Sequence, residues 1–250
     1  MSFEQYEADF QRDGFVVARN FLSGRELAEL QHNLDRYIRK VVPGLTAEHA
    51  FYVDPRRRET LKQLQHMDVE PYFRDYAKHP TWKAMAEALL GEPAEGQPPE
   101  WFNKPAGTDH PTPPHQDNYY FCLRPPRVLT AWLALDPVDE ENGGLIYVPG
   151  SHRRGLRPHG ANSLVGFSQS ITDFGPEDAR IEQRIRLDVG DLIVHHGKTI
   201  HRAEANRSPT RHRRAFAMVF KATRCRRDEE AFRRYERALK AQHASLNLTG

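Results

Sequence analysis

The sequence predicts a mainly β protein, a sandwich or jelly roll with helices packed outside it, and three observations carry that reading. From Glu92 onward helical periodicity gives way to short apolar runs broken by Pro and Gly, starting at Pro93, Gly96, Pro98 and Pro99, which is the punctuation of strands and turns. The runs that follow have strand length and number seven or eight, which points to a sandwich or jelly roll. The chain has 250 residues, enough to bury one sizeable β core in a single domain. Residues 1–91 are expected to form a mostly helical flank, 92–223 the jelly-roll core and 224–250 a closing helix.

Taken in order, Gly14-Phe15-Val16-Val17-Ala18 is a short strand. Ser23 then caps a helix, with Glu26 three residues on in the capping-box position and Leu27, Leu30, Leu34 and Ile38 at helical spacing. Pro43-Gly44 ends it. The stretch 59–90 reads as helix again, with Asp68 as an N-cap before Pro71, Pro80-Thr81 as a second opening and Gly91 as the stop. Residues 101–104, 117–123, 128–135, 145–148, 184–187, 192–196 and 213–223 read as strands. The segment 155–179, carrying Gly160, Gly166, Gly175 and Pro176, is long enough between strands to be a lid or binding loop. No internal repeat is present.

Composition excludes several classes. Hydrophobic residues are 38% and charged residues 28% of the chain, ordinary for a folded soluble protein and too apolar for disorder. A net charge of +2 and basic clusters interleaved with acids argue against a nucleic-acid partner. No apolar run approaches membrane-spanning length and the first residues lack a signal-peptide pattern, so a cytoplasmic protein without a membrane partner is expected. Cys122 and Cys225 stand far apart, which rules out a disulfide framework or a CxxC zinc site.

The chemistry is concentrated in Pro113-Pro114-His115-Gln116-Asp117-Asn118-Tyr119-Tyr120-Phe121. On a strand, residues two apart share a face, so His115 and Asp117 can converge on one ion. With thirteen His and 34 acids in the chain, about two such pairs are expected from composition alone. Two exist, and the other, His66-Met67-Asp68, is explained by the helix cap. A His-x-Asp pair joined by one distant His is the facial triad of non-haem Fe(II) oxygenases. The distant His lies in Gly190-Asp191-Leu192-Ile193-Val194-His195-His196-Gly197-Lys198-Thr199-Ile200-His201, where spacing leaves His195, His196 and His201 all open. An arginine from Arg211, Arg213 and Arg214 reaching into an apolar barrel would require an anionic partner, and a guanidinium suits a carboxylate.

In order along the chain, His115-Gln116-Asp117, Val138-Asp139-Glu140-Glu141-Asn142-Gly143-Gly144-Leu145, Val148-Pro149-Gly150-Ser151-His152, Gly190-Asp191-Leu192, His201, Asn206-Arg207-Ser208 and Arg213-Arg214-Ala215 resemble the phytanoyl-CoA dioxygenase family of Fe(II)/2-oxoglutarate oxygenases. The resemblance spans about Phe15 to Phe220. It implies a cupin-like double-stranded β-helix, metal ligation by His115, Asp117 and His201, and an anchor for the far carboxylate of 2-oxoglutarate at Arg213, with Arg214 as the near alternative. Thr130, Trp132 and Asn103 resemble positions lining the co-substrate pocket, while Gly143-Gly144 and Pro149-Gly150-Ser151-His152 read as turns, with His152 structural rather than a ligand. The implied cofactors are Fe(II), 2-oxoglutarate as co-substrate and O2. The implied reaction is hydroxylation of a small-molecule substrate with release of succinate and CO2. Retention of Asp117, where halogenating relatives carry a small residue, favours hydroxylation. A cupin-like hydrolase or isomerase using another ion and a non-catalytic small-molecule sensor are the rival readings. Tyr119, Tyr120 and Phe121 stand ready to stack on substrate or to fill core. Arg153, Arg154, Arg157 and Arg202 near the expected mouth would favour an anionic substrate.

Overall fold

The computed structural model describes residues 3–161 and 169–245. Helix α1 (Glu7–Asp13) stops at left-handed Gly14 and feeds β1 (Phe15–Ala18). Helix α2 (Gly24–Lys40) buries Leu30, Leu34 and Tyr37 along one stripe; Ser23 is its N-cap, but the Ser23 side chain makes no cap hydrogen bond, so the expected capping box does not form. The stretch expected to be helix from residue 59 contains a strand instead. β2 (Ala50–Tyr52) pairs with β3 (Leu61–Leu64), and the Leu61/Leu64 spacing that mimics a helical stripe is a strand with both ends buried. Helix α3 (Pro71–Tyr76) is capped by Glu70, which accepts from Tyr72 N at 2.9 Å. Asp68, the expected cap, lies in the preceding 3-10 turn. Helix α4 (Pro80–Leu90) opens at its proline and closes at left-handed Gly91 as predicted.

The β region follows as β4 (Ala94–Gly96), β5 (Glu100–Lys104) and β6 (Thr112–His115). Residues 118–121, expected to be strand, form a single helical turn, α5 (Asn118–Phe121). Then come β7 (Leu123–Arg124), β8 (Val128–Ala134) and β9 (Leu145–Tyr147). The expected lid is partly regular structure: β10 (His159–Ala161) pairs with β11 (Gln169–Ile171), and α6 (Pro176–Arg180) follows. Its stretch 162–168 lies outside the described residues. The chain continues through β12 (Gln183–Ile185), β13 (Leu192–His196), β14 (His201–Ala203), β15 (Arg213–Ala222), β16 (Arg226–Arg227) and α7 (Glu229–Ser245).

Two antiparallel sheets make the jelly roll. The larger has the order β1-β13-β8-β15-β5-β3-β2, with β4 also on β15, and the smaller runs β12-β9-β14-β6. Strand alternation divides the central strands between two cores. Leu129, Ala131, Leu133, Leu192, Val194, Phe216, Met218 and Phe220 face the helices, whereas Trp132, Ala134, Ile193, Ala215 and Ala217 face the smaller sheet. Both faces of β8 are therefore buried, which explains why it is apolar throughout except at Thr130. At the turn before β13, Gly190 has φ +88°, and a Cβ there would stand 2.2 Å from Leu22 O; only glycine fits. Asp191 beside it ties β1 in place, accepting from Asn20 N at 2.8 Å and Arg19 Nη1 at 2.6 Å.

Phe216 is fully buried, with the rings of Tyr76 and Trp82 edge-on at 5.2 and 5.9 Å. Phe216→Ala should cost about 3–5 kcal/mol, because the transfer and cavity penalties add. Urea unfolding would measure it, and a cost below about 1 kcal/mol would show that the helices do not pack on this face.

Candidate metal centre

His115 ends β6 and His201 begins β14, and the two stand opposite each other in the ladder. Each imidazole Nδ1–H donates to the carbonyl two residues earlier, Pro113 O at 2.9 Å and Thr199 O at 3.0 Å. That bond selects the tautomer and leaves Nε2 as the basic nitrogen. The two Nε2 atoms lie 3.5 and 3.6 Å from Asp117 Oδ1. One ligand atom from each of His115, Asp117 and His201 falls within 4.8 Å of the others.

Asp117 reaches this point by a different route from the one its spacing suggested. It is not on a strand with His115; its backbone is helical (φ −58°, ψ −38°) and it opens α5. The intervening Gln116 is fully buried and holds the bend, donating to Gly155 O at 2.8 Å and Lys198 O at 2.7 Å and accepting from Arg157 N at 2.7 Å. The outer carboxylate oxygen of Asp117 is occupied. Thr130 Oγ1 donates to Oδ2 at 2.6 Å and His195 Nε2 donates to it at 2.9 Å, while Tyr147 O–H donates to His195 Nδ1 at 3.1 Å. Thr130 and His195 are direct partners in the β8/β13 ladder.

Burial opposes ionisation of Asp117, yet the surrounding imidazoles of His201, His115 and His195 hold its carboxyl well below the usual range. Burial, together with His115 and His195, pushes His201 well below the ordinary imidazole value despite the opposing charge of Asp117. An ionised carboxylate and imidazoles with Nε2 free of a proton are the forms that bind a divalent cation.

Of the rival imidazoles, His195 is turned into the site but contacts Asp117 Oδ2. His196 faces the helices, near Phe10 and His152, and accepts from Lys198 N at 3.0 Å. His152 bonds to Gln11 O on α1 and stays structural. His195→Ala should weaken metal affinity roughly ten- to a hundredfold, the usual cost of losing an orienting partner of a ligand. Calorimetric titration with Mn(II) would measure it, and unchanged affinity would mean that Thr130 alone orients the carboxylate.

Further along the space between the sheets, Arg213 is 6% exposed and makes no ion pair with an acid among the described residues. Its Nη1 donates weakly to Gly143 O at 3.4 Å, its guanidinium lies 5.2 Å from the Trp132 ring centre, and its Nε is buried without a partner. Burial pushes it down to about 10, against Tyr147 and Asp136. Lys104, its partner across the ladder, is pushed down to about 6 by burial and by Arg213, and its ammonium donates to His110 O at 3.0 Å and Glu204 O at 2.6 Å. Gly143, at φ +98°, is pressed between Lys104 and Glu204 O, each 3.0 Å from where a Cβ would stand. By contrast Arg211 pairs with Asp139 and Glu141, and Arg214 with Asp136.

Thr130 and Trp132 share the inter-sheet face, as alternation requires. Asn103 does not join them. It alternates with Phe102 and bonds instead to Leu61 O at 2.9 Å and His212 Nδ1 at 3.3 Å, on the side away from the imidazoles. Tyr120 lies 5.9 Å from the His115 ring and donates to Gln169 O, and Tyr119 stacks on His159 at 4.0 Å. The arginines expected at an anionic mouth are largely neutralised: Arg157 by Asp173 and Asp178, Arg202 by Glu182 and Glu204, and Arg154 by Asp178 at 3.5 Å. A separate groove of about 410 Å³ on the outside of α1, β1 and β12, lined by Tyr6, Asp9 and Gln183 among others, contains none of these groups. Local sequence did not signal the roles of His195, Tyr147 and Lys104, although period-two alternation from Ile193 and Phe102 would have placed His195 and Lys104 on the inner face.

A jelly roll in which two imidazoles and one carboxylate converge, with an uncompensated arginine buried in the same space, defines the class of 2-His-1-carboxylate metal proteins. The chain belongs to the phytanoyl-CoA dioxygenase (PhyH) family, whose model matches residues 10–215. Peroxisomal phytanoyl-CoA dioxygenase of Rattus norvegicus is 27% identical over 217 residues, covering 80% of this chain and 62% of the rat protein. The match to the Bos taurus enzyme is also 27% identical and covers 63% of that protein, so the chain spans less than two thirds of the length of these relatives. Among solved structures, the nogalamycin-biosynthesis epimerase SnoN in complex with Fe3+, α-ketoglutarate and nogalamycin RO is 25% identical, with TM-score 0.69, covering 89% of this chain and 84% of that one. EvdO2 from Micromonospora carbonacea var. aurantiaca, complexed with 2-oxoglutarate, is 26% identical, with TM-score 0.68 and coverage of 88% and 90%. The fold is the cupin-like jelly roll of Fe/2-oxoglutarate enzymes.

Proposed function

We propose that this chain, read as one oxygenase domain, is an Fe(II)/2-oxoglutarate-dependent dioxygenase that hydroxylates a small molecule. The observation that carries the reading is the juxtaposition of the His115, Asp117, His201 cluster with Arg213, a buried cation lacking a carboxylate, in one inter-sheet space. The donor set fits the metal: two imidazoles with Nδ1 pinned to carbonyls and a carboxylate whose outer oxygen is already bonded would present three atoms and leave other positions open. Arg213 fits the far carboxylate of 2-oxoglutarate, which would supply the anion its burial lacks. When bound, Fe(II), 2-oxoglutarate and O2 supply the oxidising chemistry, with succinate and CO2 as co-products.

The residues of the chain itself contribute placement and exclusion of water. Thr130 and His195 keep Asp117 from rotating, so one oxygen is committed to the metal. Trp132 forms an apolar wall beside Arg213, which strengthens a carboxylate–guanidinium pair by keeping water away. No nucleic acid or membrane partner is proposed; no helix among the described residues is long and apolar enough to cross a membrane.

The test is succinate release from 2-oxoglutarate under O2, with and without candidate substrates, and mass spectrometry of the product. Gain of one oxygen atom supports hydroxylation. Turnover with no change in substrate mass would replace it with stereochemical inversion, the reaction named for SnoN. Metal binding without any 2-oxoglutarate consumption would overturn the oxygenase reading.

A further inference from the structure

Among the described residues, Glu100 is an acid on the inter-sheet face that the metal centre does not use. On β5, Trp101 packs with the helix-side core and Phe102 with the inter-sheet core, so Glu100 points inward beside Phe102. The ladder confirms the side: Glu100 stands opposite Ala217, and Ala217 opposite Trp132. Ala217 between them carries only a methyl group. Inward-facing Glu100, Phe102 and Val219 are only half-buried, while their helix-facing neighbours Trp101, Met218 and Phe220 are fully buried. The inner face is therefore reached by solvent at this end, and it is the end of β8 where Thr130 holds Asp117.

Glu100 accepts from Gln63 Nε2 at 3.3 Å, and no cation is ion-paired with it among the described residues. Enclosure, with the nearby charge of Asp117 and against the help of Gln63, pushes it up to about 7. Half-exposed, Glu100 keeps water on one side, and an incoming cation would replace that water with a direct charge-assisted bond. Of the arginines that would have drawn an anionic substrate, Arg154, Arg157 and Arg202 are meanwhile tied to Asp173, Asp178, Glu182 and Glu204, and Arg153 stays exposed.

We propose that Glu100, oriented by Gln63, is the specificity residue that receives a protonated amine of the primary substrate, which makes that substrate cationic at one end rather than anionic. The inference rests on the oxygenase reading for what happens to the substrate, but its test does not. An ammonium entering the space would give Glu100 a charge-assisted hydrogen bond and restore its ionised form. A carboxylate there would meet the Glu100 carboxyl and gain no such bond.

The full chain, with Zn(II) and 2-oxoglutarate, would be titrated calorimetrically at pH 8 with three matched probes: hexylammonium, hexanol and hexanoate. Hexylammonium should bind most tightly, and Glu100→Gln should weaken it roughly ten- to a hundredfold, the loss of one charge-assisted bond, with hexanoate unchanged or improved. Glu100→Asp should retain the preference. Equal binding of hexylammonium to wild type and Glu100→Gln would overturn the proposal. The order of the three probes on the wild type requires no variant, so a preference for hexanol or hexanoate would overturn it even if Glu100→Gln folded poorly. Zn(II) and 2-oxoglutarate binding is measured first in the same cell. Failure there sinks the oxygenase reading, and the probe order then decides Glu100 independently on the chain alone.

Discussion

His115→Ala, Asp117→Ala and His201→Ala should each remove Fe(II)-dependent 2-oxoglutarate turnover and weaken Mn(II) binding by more than about a hundredfold, beyond the usual cost of losing an outer partner. A three-ligand protein site has no spare donor. Asp117→Asn is the sharper variant, because it preserves shape. Thr130 and His195 both donate to Oδ2, so an asparagine would offer them its carbonyl and turn its NH2 towards the two imidazoles. Metal binding should then be lost as fully as in Asp117→Ala while the fold persists. His195→Ala, in contrast, should retain measurable turnover, and His196→Ala, on the opposite face, should retain nearly all of it. Abolition of Mn(II) binding by His195→Ala together with retention by His201→Ala would move the third ligand to His195.

Arg213→Lys should weaken 2-oxoglutarate binding by about 1.5–3 kcal/mol, the worth of a charge-assisted pair, or roughly ten- to a hundredfold in affinity. The ammonium keeps the charge but not the planar fork. Metal affinity without 2-oxoglutarate should barely change, since Arg213 lies outside the ligand cluster. The controls come from its neighbours: Arg211 and Arg214 are already neutralised by Asp139, Glu141 and Asp136, so Arg211→Lys and Arg214→Lys should be close to silent in the same titration. A raised 2-oxoglutarate requirement in Arg214→Lys alone would reassign the anchor to Arg214.

Much of the β core could be read directly from the chain. The centres of β8, β13 and β15 are rich in apolar residues because both their faces are covered, and the Gly190-Asp191 turn before β13 stands where a side chain at the glycine would strike Leu22 O. Short strands were harder. β3 looked helical because Leu61 and Leu64 are spaced like a helix stripe, and only its pairing with β2 and β5 makes it a strand. β6, expected to carry both His115 and Asp117, stops at His115; its Pro113 and Pro114 are residues that edge strands tolerate, and they stand at the edge of the smaller sheet.

For the candidate site, the sequence by itself determined which residue types were available and in what order: a His-x-Asp pair, a late cluster of three histidines and a late cluster of three arginines. Local spacing is blind to what approaches from a distant strand. The tertiary structure alone decided that Asp117 meets His115 through a helical turn held by Gln116, and that His201 faces Oδ1 while His195 holds Oδ2. It also turned Asn103 away and left Arg213 as the arginine without an acid. The physical reason is common to all of these: a hydrogen bond or an unpaid burial depends on atoms dozens of residues away, and only the folded ladder brings them into register.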